Sequence, residues 1–258
     1  HILLPYRQED MDGWPITSED LAPHYRAVAG FMQVSGPADD LEAVFPAFAM
    51  AEGQGLRPTV QAEALLARLA RVKERTAALG LRAGAARQAV DLSCHRCGLC
   101  LHGCPYGLIW SANDQIAKLR ASPDFTHRPA AVVIRFEETS EGVTLHLAGG
   151  ETLTAPRIFI AAGVLETARI LLTSLPLLGG LDLRDSQHAF LPMLQRWRNP
   201  TRPDRGRLHT LPQIFLELDA SDISPHLVHA QVYSWNEFYA HDLIATYAKE
   251  AAEKGATV

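Results

Sequence analysis

The chain has 258 residues, a net charge of -5 and a pI near 6.1. Lys and Arg are scattered apart from a run over Arg196–Arg207, read as a solvated loop, so there is no electrostatic footprint for nucleic acid. With 47% apolar residues a substantial core can form, yet no apolar run reaches the about 18 residues of a membrane span. The chain opens His1-Ile2-Leu3-Leu4-Pro5-Tyr6, without a signal-peptide pattern and without Met, and is expected to be a piece of something longer.

Thr17 or Ser18 can cap a first helix, with an acid three residues later suiting a capping box. Leu21, Tyr25, Val28 and Met32 recur at helical spacing, and Gly36-Pro37 stops the helix. Residues 37–58 hold several Pro and Gly and read as loop. Residues 60–79 predict one helix: Ala62, Leu65, Leu66, Leu69, Val72 and Thr76 mark one face, and Arg68, Arg71, Lys73 and Glu74 the other. Gly80 closes it as a C-terminal cap.

All four cysteines lie between positions 94 and 104, which argues against a disulfide framework and slightly favours a reducing, cytoplasmic compartment. Cys94-x2-Cys97-x2-Cys100-x3-Cys104-Pro105 has the spacing of an iron–sulfur ligand run, in which thiolates on one looping segment wrap a cluster. Either all four bind one cluster or three bind a three-iron cluster. Zinc held by four thiolates is the competing metal, although its usual long spacer between knuckles is absent. A tight loop or local redox pair without metal is the plain alternative.

Ser111 can cap a short helix through Leu119. Ala131–Glu137, Val143–Leu147 and Thr152–Thr154, separated by turn residues, predict a small antiparallel meander. Arg157–Ala162 reads as a buried strand, Gly163 as a sharp turn and Glu166–Thr173 as a helix, the local grammar of nucleotide-binding α/β domains. Beyond a boundary near residue 176, Gln213–Leu218 and Val228–Trp235 alternate like strands, and Glu237–Lys254 is helical.

Three blocks in order carry a family resemblance. Gly13-Trp14-Pro15-Ile16 through Tyr25 resembles the "WPI…DL.PYY" segment of the glucose–methanol–choline (GMC) flavin-dependent oxidoreductases. Cys97-Gly98-Leu99-Cys100 through Gly107, then Ser111, resembles the "CG.C..GCP.G….S" segment of members that oxidise sugars and long-chain alcohols. Ile158-Phe159-Ile160-Ala161-Ala162-Gly163 through Ser174 is similar to the family's "AAGA.ET.R.LL.S" block. The three blocks span residues 13–174; the match beyond is weak.

The resemblance implies an α/β (α+β overall) chain. Residues 1–175 would form a partial FAD-binding, Rossmann-like domain with an antiparallel meander and a Cys-rich insertion at 94–105. Residues 176–258 would form part of an antiparallel-sheet substrate domain. It implies that Ala162, Gly163 and Thr167 lie near the adenosine half of FAD and that the backbone at Val132 or Val133 meets the adenine edge. The expected reaction is hydride transfer from an alcohol or sugar hydroxyl carbon to flavin, with Cys94, Cys97, Cys100 and Cys104 holding a 3Fe-4S or 4Fe-4S cluster that relays electrons to an external acceptor. The family's G-x-G-x-x-G loop and its closing catalytic His have no counterpart here, so the chain reads as an internal portion, inactive alone. No catalytic residue carries over: no motif gives the role to His188, His209, His226 or His229. The rival expectations are a non-catalytic metal-binding or electron-transfer module and a decayed homologue.

Overall fold

The computed structural model describes residues 4–11, 13–45, 55–176, 179–183, 188–191, 193, 209–233 and 245. In chain order these form helix α1 (Ser18–Met32), α2 (Val60–Arg71), α3 (Lys73–Ala77), strand β1 (Leu81–Ala85), α4 (Ala112–Leu119), β2 (Val133–Thr139), β3 (Gly142–Leu147), β4 (Thr152–Ala155), α5 (Val164–Ser174), β5 (Ile214–Leu218) and β6 (Val228–Val232). The fold is mixed α/β, with two small antiparallel sheets ordered β1-β5-β6 and β2-β3-β4. The helix expected over Glu237–Lys254 and the basic run over Arg196–Arg207 lie outside the described residues.

The chain divides into two compact units, one of His1–Asp114 with Pro192–Val258 and one of Gln115–Leu191. The sequence reading divides it once, near residue 176. The pairing of β1 with β5 explains the difference: Leu81–Ala85 runs against Ile214–Leu218, so residues 209–233 belong with the amino-terminal part.

In the first unit, Thr17 caps α1 as expected. Its hydroxyl accepts from the Asp20 N–H (3.2 Å), and the Asp20 carboxylate accepts from the Thr17 N–H (2.8 Å). The helix ends at Gln33 in the left-handed conformation, three residues before Gly36. Ala29 and Met32 on its inner face join Val34 in one core cluster. A short 3-10 turn, Asp40–Ala43, interrupts the stretch expected to be loop and buries Leu41. Leu41, Phe45, Ala86 and Phe215 form a second cluster, in which the Phe45 and Phe215 rings stack with centroids 5.6 Å apart.

The single helix expected over 60–79 is two. Val72 leaves the helical region (φ -115, ψ 14), and its N–H bonds back to Leu69 rather than to Arg68. A β-branched residue is stiff at χ1 and crowds the preceding turn, which suits it to such a break. Gly80 then turns the chain into β1 with a φ of +76, and its carbonyl accepts from the Asp219 N–H at 2.8 Å.

In the second unit the meander forms as expected, with Phe136, Leu147 and Ile170 buried. Helix α5 covers β2. Arg169 donates to the carbonyls of Val133 (3.0 Å) and Ile134 (3.4 Å), and the Phe136 N–H donates to Ser174 Oγ (2.8 Å). These side chains satisfy β2 backbone groups that no strand reaches. The buried strand expected over Arg157–Ala162 is not there: the segment is irregular, Phe159 is 92% exposed, and Ala161 and Ala162 are exposed. An extended segment becomes a strand only with a neighbour to share its ladder, and among the described residues none lies beside it. The parallel layer that the strand–Gly–helix pattern suggests is likewise absent among the described strands.

Candidate functional site

The cysteine segment is a loop clamped at its base. Val90 bridges Ile109, the Asp91 N–H donates to the Leu108 carbonyl (2.8 Å), and the Trp110 N–H donates to the Ala89 carbonyl (2.9 Å). Asp91 starts the loop with a turn: its carboxylate accepts from the Ser93 hydroxyl (2.6 Å) and N–H (2.8 Å). Those bonds, the hydroxyl's first, hold the Asp91 carboxyl below the usual range.

Inside the clamp the chain wraps tightly. Arg96, Gly98, Gly103 and Gly107 all have positive φ, and Cys100–His102 forms a 3-10 turn. The result brings Cys94, Cys97, Cys100 and Cys104 to the wall of one hollow, alongside Val90, Leu108, Ile109 and Leu211. All four are free thiols of intermediate exposure. His95 packs edge-on against Tyr106 at the same hollow, ring centroids 4.7 Å apart.

Cys104 differs from the other three. Burial opposes its ionisation, but backbone amides of Leu108, Tyr106, Ile109 and Gly107 together outweigh it, and the thiol lies below its ordinary value. The Leu108 N–H is 3.4 Å from its Sγ.

The donor set suits an iron–sulfur cluster: four thiols on one loop, apolar walls and amides aimed at sulfur. Among the described residues no three Cys, His, Asp or Glu side chains stand close enough to grip one metal ion. The fit is therefore one of donor identity and of a shared hollow.

The residues expected at FAD lie in the second unit. Gly163 is the N-cap of α5 with φ +83 and ψ 166, a region open essentially to glycine alone. It offers no capping side chain, so the first amides of α5 lack the usual partner. A Cβ at Gly163 would meet nothing within 4 Å. Thr167 begins the helical bonding, its N–H donating to the Gly163 carbonyl (2.9 Å). Ala162 is exposed on the approach to the helix, and Val164 (67%) and Leu165 (72%) are exposed on its first turn.

Arg169 meets Val133 and Ser174 meets Phe136, so α5 runs in the same direction as β2. The open end of the helix thus lies towards the end of the strand where Val132 and Val133 sit. The Val133 carbonyl is already held by Arg169 and the Val132 carbonyl by the Ala148 N–H (3.0 Å). Val132 itself is exposed.

Several polar groups have no local sequence signal. Glu217 is buried, and its Oε1 lies 2.5 Å from Nδ1 of His229 on the neighbouring strand. His209 is buried and neutral-favouring, its basicity lowered chiefly by burial. His226 is exposed and pairs with Asp10 (2.6 Å), while His188 is exposed. No helix among the described residues is long and apolar enough to cross a membrane. Comparison with known protein families, with curated proteins and with solved structures finds no match.

Proposed function

We propose that this chain carries the adenosine-side flavin contacts and an iron–sulfur relay of an FAD-dependent dehydrogenase acting on an alcohol or sugar hydroxyl. The observation that carries the reading is the meeting of four thiols of the C-x2-C-x2-C-x3-C-P run at one apolar hollow. The Gly163 turn supports it, because backbone without a side chain lets a dinucleotide approach the uncapped amides of α5 closely.

Flavin, when bound, accepts the hydride of the substrate's carbinol carbon as a base takes the hydroxyl proton. A cluster held by the four cysteines would supply one-electron transfer, which favours an external acceptor over oxygen. The chain's own parts in this scheme are limited. Cys94, Cys97, Cys100 and Cys104 hold the metal group. Ala162, Gly163 and Thr167 border the adenosine half of FAD, with Val132 and Val133 at its adenine edge. No residue of the chain is assigned as the base.

The test is anaerobic purification followed by an absorption spectrum and by iron, zinc, sulfide and flavin analysis. Flavin bands together with iron and sulfide support the reading. Zinc without sulfide, or no chromophore at all, overturns the relay and leaves a metal-binding or decayed module.

A further inference from the structure

The four thiols are not equivalent in their surroundings. Cys94, Cys97 and Cys100 sit on the arm that turns through the positive-φ residues Arg96 and Gly98 and the short 3-10 turn. Among the described residues no backbone donor meets their sulfurs, whereas Cys104 receives the Leu108 N–H at 3.4 Å. The reason lies in how Leu108 is held. Its carbonyl accepts from the Asp91 N–H at 2.8 Å, and the next residue, Ile109, bridges Val90.

The bond from Asp91 and the bridge to Val90 hold the Leu108–Ile109 peptide, and on the other side of the Leu108 Cα the N–H of the Gly107–Leu108 peptide faces Cys104. Gly107, at φ +65, makes the turn that brings it back, with its own N–H on the Cys104 carbonyl (3.2 Å). The Leu108 side chain lines the same hollow.

An amide aimed at a cluster thiolate stabilises the state with more negative charge, which is the reduced one, and so raises the reduction potential. Burial works in the opposite sense, since an apolar wall disfavours added charge. Leu108 contributes both, the amide through its backbone and the wall through its side chain.

We propose that the backbone N–H of Leu108, a residue anchored through its carbonyl by Asp91, sets the reduction potential of a cluster held by Cys104 and its three companions. Leu108 is a positioning residue here: it acts through Cys104 and touches no substrate. The inference rests on the iron–sulfur reading above.

Two variants separate its two contributions. Leu108→Pro removes the N–H, and Leu108→Ala keeps it while removing the wall. Each protein is reconstituted anaerobically with ferrous iron and sulfide, and its midpoint potential is measured by optical titration. Leu108→Pro is expected to shift the midpoint to more negative values than Leu108→Ala, at equal iron content.

A proline after Gly107 in its left-handed conformation strains the turn, so a second measurement uses the unsubstituted chain. Pulsed electron paramagnetic resonance in H2O and D2O is expected to show an exchangeable amide proton coupled to the cluster. A cluster without such a proton, or equal potentials in the two variants, overturns the inference and leaves the iron–sulfur reading standing. An unsubstituted chain that takes up neither iron nor sulfide overturns both.

Discussion

Glu217 and His229 face each other across β5 and β6 with Oε1 2.5 Å from Nδ1. The carboxylate is 1% exposed, and its other oxygen has no hydrogen-bond partner among the described residues. Gln231 bonds the far nitrogen of the ring at 3.2 Å, and the Tyr233 hydroxyl donates to Gln231 at 2.7 Å. Phe45 and Phe215 meet the imidazole edge-on. A buried carboxylate with a single good partner depends on it heavily. His229→Ala is expected to cost about 3–5 kcal/mol, the range for breaking a buried pair. Glu217→Gln, which keeps an acceptor for Nδ1 and removes the charge, is expected to cost clearly less. Urea unfolding followed by circular dichroism checks both, and equal losses would show that the charge is not what the site depends on.

Gly163 tests the flavin reading apart from the cluster. Its φ and ψ are open essentially to glycine, so Gly163→Ala strains the turn by about 1–3 kcal/mol. The surroundings are open, so no clash adds to this. The expected outcome is a helical, folded protein whose FAD affinity falls about tenfold or more. Fluorescence titration with FAD measures it, and unchanged affinity would remove Gly163 from the cofactor's border.

His209 makes stability depend on pH. Burial first, and then the charge of Arg96, lower its proton affinity in the folded chain, against a raising bond with the Arg57 backbone. The unfolded chain then binds a proton at a pH where the folded chain does not. The contribution is fully present above the unfolded value near 6.5 and is lost as pH falls from there towards the depressed folded value. Urea midpoints are expected to fall on acidification through that window, and His209→Gln is expected to flatten the slope.

Gly80 joins α3 to β1 at φ +76, and a Cβ there would run into the carbonyl of Asp219. The same Asp219 donates its N–H to Gly80, so the two backbones cannot part without losing that bond. Gly80→Ala is expected to destabilise by well over about 1 kcal/mol, since both conformation and contact oppose it. A thermal midpoint equal to that of the unsubstituted chain would contradict the close approach.

The local sequence determined whatever depends on neighbours in the chain. The capping box of Thr17 and Asp20, the meander over Val133–Ala155 and the Gly163 turn into α5 were legible because turn chemistry, capping and side-chain period act within a few residues. The grouping of the four cysteines was legible for the same reason: one short loop carries them all. Tertiary structure alone decided the rest. The irregular course of Arg157–Ala162 depends on strands that must lie beside it, and its apolar pattern carries no record of whether they do. Leu211 reaches the cysteine hollow, and β5 reaches β1, across more than a hundred residues. The Glu217–His229 pair and the placing of Leu108 beside Cys104 exist only once β-pairing has set the register, because each depends on which backbone groups the ladder places opposite one another.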